Sequence, residues 1–194
     1  ATGPRVARGA GVPDAVARRL GELAPEAPDA AIVPLAAAAR RWVAAAAGLL
    51  DRGEVVGVDY GDDTASLASR PSGGWLRAYR GHDRAGDPLR ELGAKDITCE
   101  VPLDQLDLPS PPQRVGQAAW LRHHGIEDLV ADGRRVWRER AHLGDLTALR
   151  ARSRVREAEA LLDLDGLGAF WVLQWPVDRQ RPAPHADERG PKVP

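Results

Sequence analysis

The 194-residue sequence contains no methionine, no asparagine, one cysteine, two lysines, one phenylalanine and two tyrosines. A lone cysteine, Cys99, cannot close an internal disulfide, so a disulfide-built scaffold is excluded. No apolar run approaches the roughly 18 residues of a membrane span. No basic segment followed by an apolar stretch and a cleavage site opens the chain, so no signal peptide is visible. The expectation is a cytoplasmic protein with no membrane contact. Acidic and basic residues nearly cancel to a net charge of -1, which removes the broad electrostatic footprint of a nucleic-acid binder. No HExxH or CxxC spacing exists, and the adjacent His123 and His124 diverge on a helix, so no metal site is expected.

What is present supports a folded domain. Leu, Ile, Val and Phe supply 42 of the 194 residues, just above the roughly one-fifth below which chains tend to stay disordered. Alanine supplies 33 more and arginine 25, so the core is alanine-diluted and the surface arginine-rich.

Residues 1–33 read as a loose lead-in with a short helix starting at Pro13. Residues 34–52 read as a helix, opened by Pro34 and closed by Gly53. Leu35, Ala38, Trp42, Ala45, Ala46 and Leu49 form its expected core-facing stripe. Residues 54–60 are short and Val-rich and read as a buried strand. A helix leading into a buried strand favours a parallel, doubly wound α/β sheet. Further strands are expected at 75–80 and 97–101, and helices at 112–124, at 126–140 and after the Asp145 cap. A last buried strand is expected at 168–175. Residues 176–194 hold five prolines and read as a disordered tail.

The polar residues with chemical potential concentrate between Asp59 and Thr98. Asp59, Tyr60 and Gly61 end the first strand, where ligands bind in open α/β sheets. Asp59 therefore either faces a cleft or caps its own loop. Arg77 and Tyr79 share one strand face by the period of two, with Arg80 and His82 following. Asp96 and Thr98 open the next strand, and their side chains could equally serve a turn. Cys99 reads as an inert core residue. No complete nucleotide loop is present, because the single GxG at Gly166 and Gly168 precedes a strand.

The ordered set Gly53, Val55, Val56, Val58-Asp59-Tyr60-Gly61, then Leu76-Arg77, Tyr79-Arg80-Gly81-His82, Pro88-Leu89, Gly93 and Asp96-Ile97-Thr98 resembles the MidA-type methyltransferase family. The closing Gly166, Gly168-Ala169-Phe170 and Val172-Leu173 resemble that family's last segment. The family includes the mitochondrial arginine methyltransferase that assists assembly of respiratory complex I. The resemblance implies a Rossmann-like class I fold with a helical insertion, S-adenosylmethionine as cofactor, and methyl transfer to an acceptor such as a protein arginine. It makes Asp59 and Asp96 candidate catalytic carboxylates, and Tyr60, Gly61, Arg77, Tyr79, His82 and Thr98 candidate acceptor-binding or pocket residues. The family's glycine-rich cofactor loop and its Asn-Glu motif have no counterpart here. Residues 34–175 are therefore expected to be the carboxyl-terminal half of such a domain, inactive without the upstream half. The partners expected are a protein substrate, the missing half or a second copy, with marginal stability and an aggregation-prone sheet edge when alone. The alternative reading is a non-catalytic interaction module displaying Trp120 and Trp137.

Overall fold

Helix α2 (Ala37–Gly48) runs into strand β1 (Arg52–Asp59) and packs on one face of the sheet that β1 begins. The computed structural model describes residues 11–179. The start of the lead-in and residues 180–194 of the proline-rich segment lie outside the described residues. Helix α1 (Asp14–Leu23) precedes α2 and buries no residue fully.

The sheet has the order β1-β8-β7, with β8 spanning Trp171–Asp178 and β7 spanning Gln113–Gly116. Both outer strands pair antiparallel with β8. They consequently run parallel to each other. The segment between β1 and β7 forms two small sheets: β2 (Gly61–Asp62) pairs parallel with β6 (Val101–Pro102), and β4 (Asp83–Ala85), β3 (Leu76–Arg80) and β5 (Asp96–Cys99) form an antiparallel trio. Helix α3 (Thr64–Ser69) sits between them in sequence. Between β7 and β8 stand three helices, α4 (Gln117–His123), α5 (Ile126–Arg140) and α6 (Leu146–Leu162).

The main core lies between α2, the sheet and the 103–108 segment: Ala36, Val43, Leu103, Leu106, Leu173 and Trp175. Trp175 also donates its indole N–H to the carbonyl of Leu106 at 3.2 Å, so the largest side chain of the core leaves no polar atom unpaired.

Several expectations change at this level. The sheet is not parallel and doubly wound, because both neighbouring strand pairs in it are antiparallel. First, α2 turns Ala36, Ala39 and Val43 inward, while the stripe read from sequence faces outward: Leu35 is 55% exposed, Trp42 69% and Leu49 87%. An alanine-rich helix has two apolar faces, and only one finds a partner here. Second, β1 is not buried. Val55 faces the core, but Val56 and Val58 on the opposite face are 44% and 50% exposed. Strand β8 covers only one edge of β1, and the α4 layer lies beside β7 and β8, where Val172 is fully buried. Third, residues 113–116 are a strand, not the start of a helix. Four residues carry too little alternation to compete with the helical pattern that follows. Similarly, β8 continues to Asp178 through Pro176, inside the segment read as tail. Pro176 lies beyond the reach of β7 and pairs only with Glu54, so its missing N–H costs no ladder bond on that side.

Helices α5 and α6 form an antiparallel hairpin that closes tightly at Gly133, where a Cβ would stand 3.1 Å from the carbonyl oxygen of Ala151. Asp145 caps α6 by accepting the N–H of Ala148 at 2.9 Å and also takes a hydrogen bond from Arg140. The Arg140 guanidinium, with help from the cap N–H, holds this carboxyl below its ordinary range. A depressed folded-state pKa stabilises the fold above the unfolded value of about 3.9 and loses that contribution as pH falls through the folded value. Asp145→Asn should flatten the acid limb of a melting-temperature profile below about pH 4. Asp145→Ala should lower the melting temperature at neutral pH as well, because it removes the cap.

Candidate functional site

Because β1 and β7 are parallel, their carboxyl ends fall on the same side of the sheet. Asp59 and Gly116 are both in register with Trp171 at the start of β8. That end is where an α/β sheet presents ligand-contacting residues. Tyr60 packs against Phe170 with ring centroids 5.3 Å apart, and Gln117 donates its backbone N–H to the Phe170 carbonyl at 2.7 Å. Asp59 is exposed and accepts the Tyr60 N–H at 2.8 Å. It caps its own loop and still turns carboxylate to the open side. Arg114 pairs with Asp63 at 2.6 Å on the same rim.

Gly61 follows directly and has a strict steric role. A Cβ there would lie 2.1 Å from the carbonyl oxygen of Val101. The close approach lets β2 pair with β6 and lets the Val101 N–H reach the Tyr60 carbonyl at 3.1 Å. This junction ties the end of β1 to the β3-β5 sheet.

On that sheet, Arg77 stands opposite Thr98 and Tyr79 opposite Asp96. Arg77 donates to Glu100 at 2.8 Å and to the Gly74 carbonyl at 2.6 Å. Arg70 donates to the other Glu100 oxygen at 2.9 Å and lies 3.5 Å from Asp62. Glu100, only 12% exposed at its side chain, is thus clamped by two guanidinium groups. His82 and Asp96 are exposed. The structure therefore separates the predicted site residues into two groups. Asp59, Tyr60 and Gly61 gather at the strand end, and Arg77, Tyr79, Asp96 and Thr98 gather on β3 and β5, with His82 in the turn leaving β3. The two groups share the β2–β6 junction.

Cys99 is exposed, not a core residue. Partial burial and the neighbouring Glu100 charge raise its thiol pKa, so little thiolate forms at neutral pH.

A further polar clasp escaped the sequence reading. Gln105 accepts the Ala36 N–H at 2.9 Å and donates to the Pro34 carbonyl and to Thr64 Oγ1, both at 2.9 Å. Asp104 accepts from the N–H and hydroxyl of the fully buried Thr64 at 3.0 and 2.7 Å. Together they join the starts of α2 and α3. Only tertiary contact creates this pairing, so no local pattern announces it. Glu100 was more accessible, since it shares the alternating face of Thr98, opposite Arg77. Among the described residues no group of His, Cys, Asp or Glu could hold a metal ion, and no helix is long and apolar enough to cross a membrane.

A protein-family model described as "Putative S-adenosyl-L-methionine-dependent methyltransferase" matches residues 10–118. No curated protein sequence matches the chain. Two solved structures of one superfamily from Burkholderia thailandensis resemble it, each at 23% identity. One, an uncharacterised protein, gives a TM-score of 0.67 over 91% of this chain and 46% of its own. The other, bound to S-adenosyl-homocysteine, gives 0.64 over 89% of this chain and 42% of its own. The chain thus spans less than half the length of either structure.

Among the described residues, no strand runs into a glycine-rich turn that opens a helix, the arrangement that binds such a nucleotide. β1 passes through Asp59–Gly61 into a two-residue strand, and β7 meets the short α4 at the single Gly116.

Proposed function

Since the chain belongs to this S-adenosyl-L-methionine-dependent methyltransferase family, we propose that it is the carboxyl-terminal half of a MidA-type enzyme and supplies the acceptor side of its active site. The family match over more than half of the chain supports the methyltransferase part of this reading. Three features support the finer parts of it. The β1-β8-β7 arrangement, two parallel strands flanking an antiparallel one, suits one side of a larger Rossmann-like sheet with helices α4 to α6 as its insertion. Among the described residues, β1 has no neighbour on its outer edge and the outward stripe of α2 has no cover. The cofactor-loop geometry is missing from the described residues and belongs, on this reading, to the upstream half.

The chain's own contribution lies at the carboxyl end of β1. A guanidinium acceptor is planar and cationic, and a carboxylate can align it through two parallel hydrogen bonds. Asp59 offers an exposed carboxylate next in the chain to Tyr60, whose ring packs at a 55° tilt against Phe170 and supplies an aromatic face beside it. Asp59 is accordingly the orienting carboxylate in this proposal, with Asp96, exposed at the start of β5 in the other group, as the alternative. Arg77 is committed to Glu100, so its role is to hold the β3-β5 sheet against the strand end. Tyr79, His82 and Thr98 border that sheet.

Calorimetric titration tests the proposal. S-adenosylmethionine and S-adenosylhomocysteine should give no binding heat with the folded chain alone and saturable heat once the upstream half is present. Saturable binding to the chain alone would contradict the division of the site between two halves. The second reading, an interaction module without catalysis, predicts no heat in either sample.

A further inference from the structure

The α5–α6 hairpin distributes its charge unevenly. On one side its ions are paired: Arg135 bonds Asp132 at 2.5 Å and Glu139 at 3.0 Å, and Arg154 also approaches Asp132 at 3.9 Å. On the other side Arg134 and Arg138 line a shallow depression on α5, and Arg134, Arg152 and Arg156 line a second one beside it; the two share Arg134 and the half-buried Trp137 and together make one shallow groove. Among the described residues, Arg138 and Arg156 have no partner. Arg152 lies over the Trp137 ring, 5.3 Å from its centroid. Among the described residues, the only acid lining the groove is Glu159, 3.9 Å from Arg134. Both members of that pair are more than half exposed, so it offsets little of the positive charge.

We propose that this groove is a docking surface for an acidic segment of a protein partner. Guanidinium groups spread over a planar fork match carboxylates bidentately. Arg134 and Arg138 are one turn apart, about 6 Å along the helix, close to the roughly 6.8 Å between alternate residues of an extended peptide. Two or three carboxylates would span the cluster. A nucleic-acid strand is the poorer fit. Arg152 already covers a face of the ring on which a base would stack, and the positive cluster is only about one helical turn long, shorter than a strand-tracking groove. The surface is a protein contact apart from the strand-end site and does not depend on methyl transfer.

Fluorescence anisotropy with the full chain and a labelled eight-residue peptide of alternating Asp and Glu tests this. Saturable binding that weakens with added salt is expected. The double variant R138E/R156E should bind at least tenfold more weakly with an unchanged circular dichroism spectrum. The charge-matched R18E/R150E, on exposed arginines outside the groove, should stay within about threefold of the parent. R138Q/R156Q, which adds no acid, should still lose most of the affinity. Three results would overturn the proposal: absence of saturable binding, equal losses in the groove and control variants, or tighter binding of a poly-thymidine oligonucleotide of matched charge.

Discussion

Gly61→Ala should collapse the junction between the β1 end and the β3-β5 sheet. The added Cβ would stand 2.1 Å from the Val101 carbonyl oxygen, and backbone cannot step aside as a flexible side chain can. Either β2 separates from β6 or the Val101 N–H loses the Tyr60 carbonyl. Overpacking of this kind costs about 3 kcal/mol, at the upper end of its usual range. For a domain of this length that is a drop in melting temperature of about 6–12 °C. Gly73→Ala is the control. Nothing lies within 4 Å of a Cβ at that exposed position, so its effect should stay within about 0.5 kcal/mol. Differential scanning calorimetry of both variants measures the difference. A Gly61→Ala chain that melts with the parent would refute the assigned close approach.

Much of the fold could be read from local pattern. Helices α2, α5 and α6 and strands β1, β3, β5 and β8 fall where helical stripes, short Val-rich runs and turn glycines put them. What local pattern could not supply was orientation. Both faces of α2 are apolar, and nothing in its sequence says which one packs. The structure chose Ala36, Ala39 and Val43 and left Trp42 in solvent. β7 was lost because a four-residue strand merges with the helix after it. Asp59, Tyr60 and Gly61 could be placed at a strand end from sequence alone, because strand ends follow from strand boundaries. The Glu100 clamp and the Gln105 clasp join residues 23 to 71 positions apart. Such pairings are set by how the small sheets dock, which periodicity does not encode.

The misread stripe of α2 bears on the second large effect. The sequence writes Leu35, Trp42 and Leu49 as core, and the chain exposes them on the outer side of α2, while Val56 and Val58 are exposed on the opposite face of the sheet. An uncovered apolar helix face, and a strand edge that is unpaired among the described residues, are two surfaces suited to being covered. On the proposal above, the upstream half covers them, adding a strand along β1 and apolar side chains over α2. Burying a tryptophan and two leucines is worth on the order of 5 kcal/mol, enough to change the folded population of a marginal domain decisively. Replacing Trp42 and Val56 together, as W42E/V56K, should leave the main core of Val43, Leu173 and Trp175 untouched. It should abolish assembly with the upstream half.

Sedimentation velocity on the chain, alone and mixed with the upstream half that the proposal calls for, measures this directly. The chain alone should self-associate or aggregate, and mixing should give a one-to-one complex. W42E/V56K should form no complex. A chain that stays monomeric with a sharp, high-temperature melt, and that forms no complex on mixing, would contradict the account.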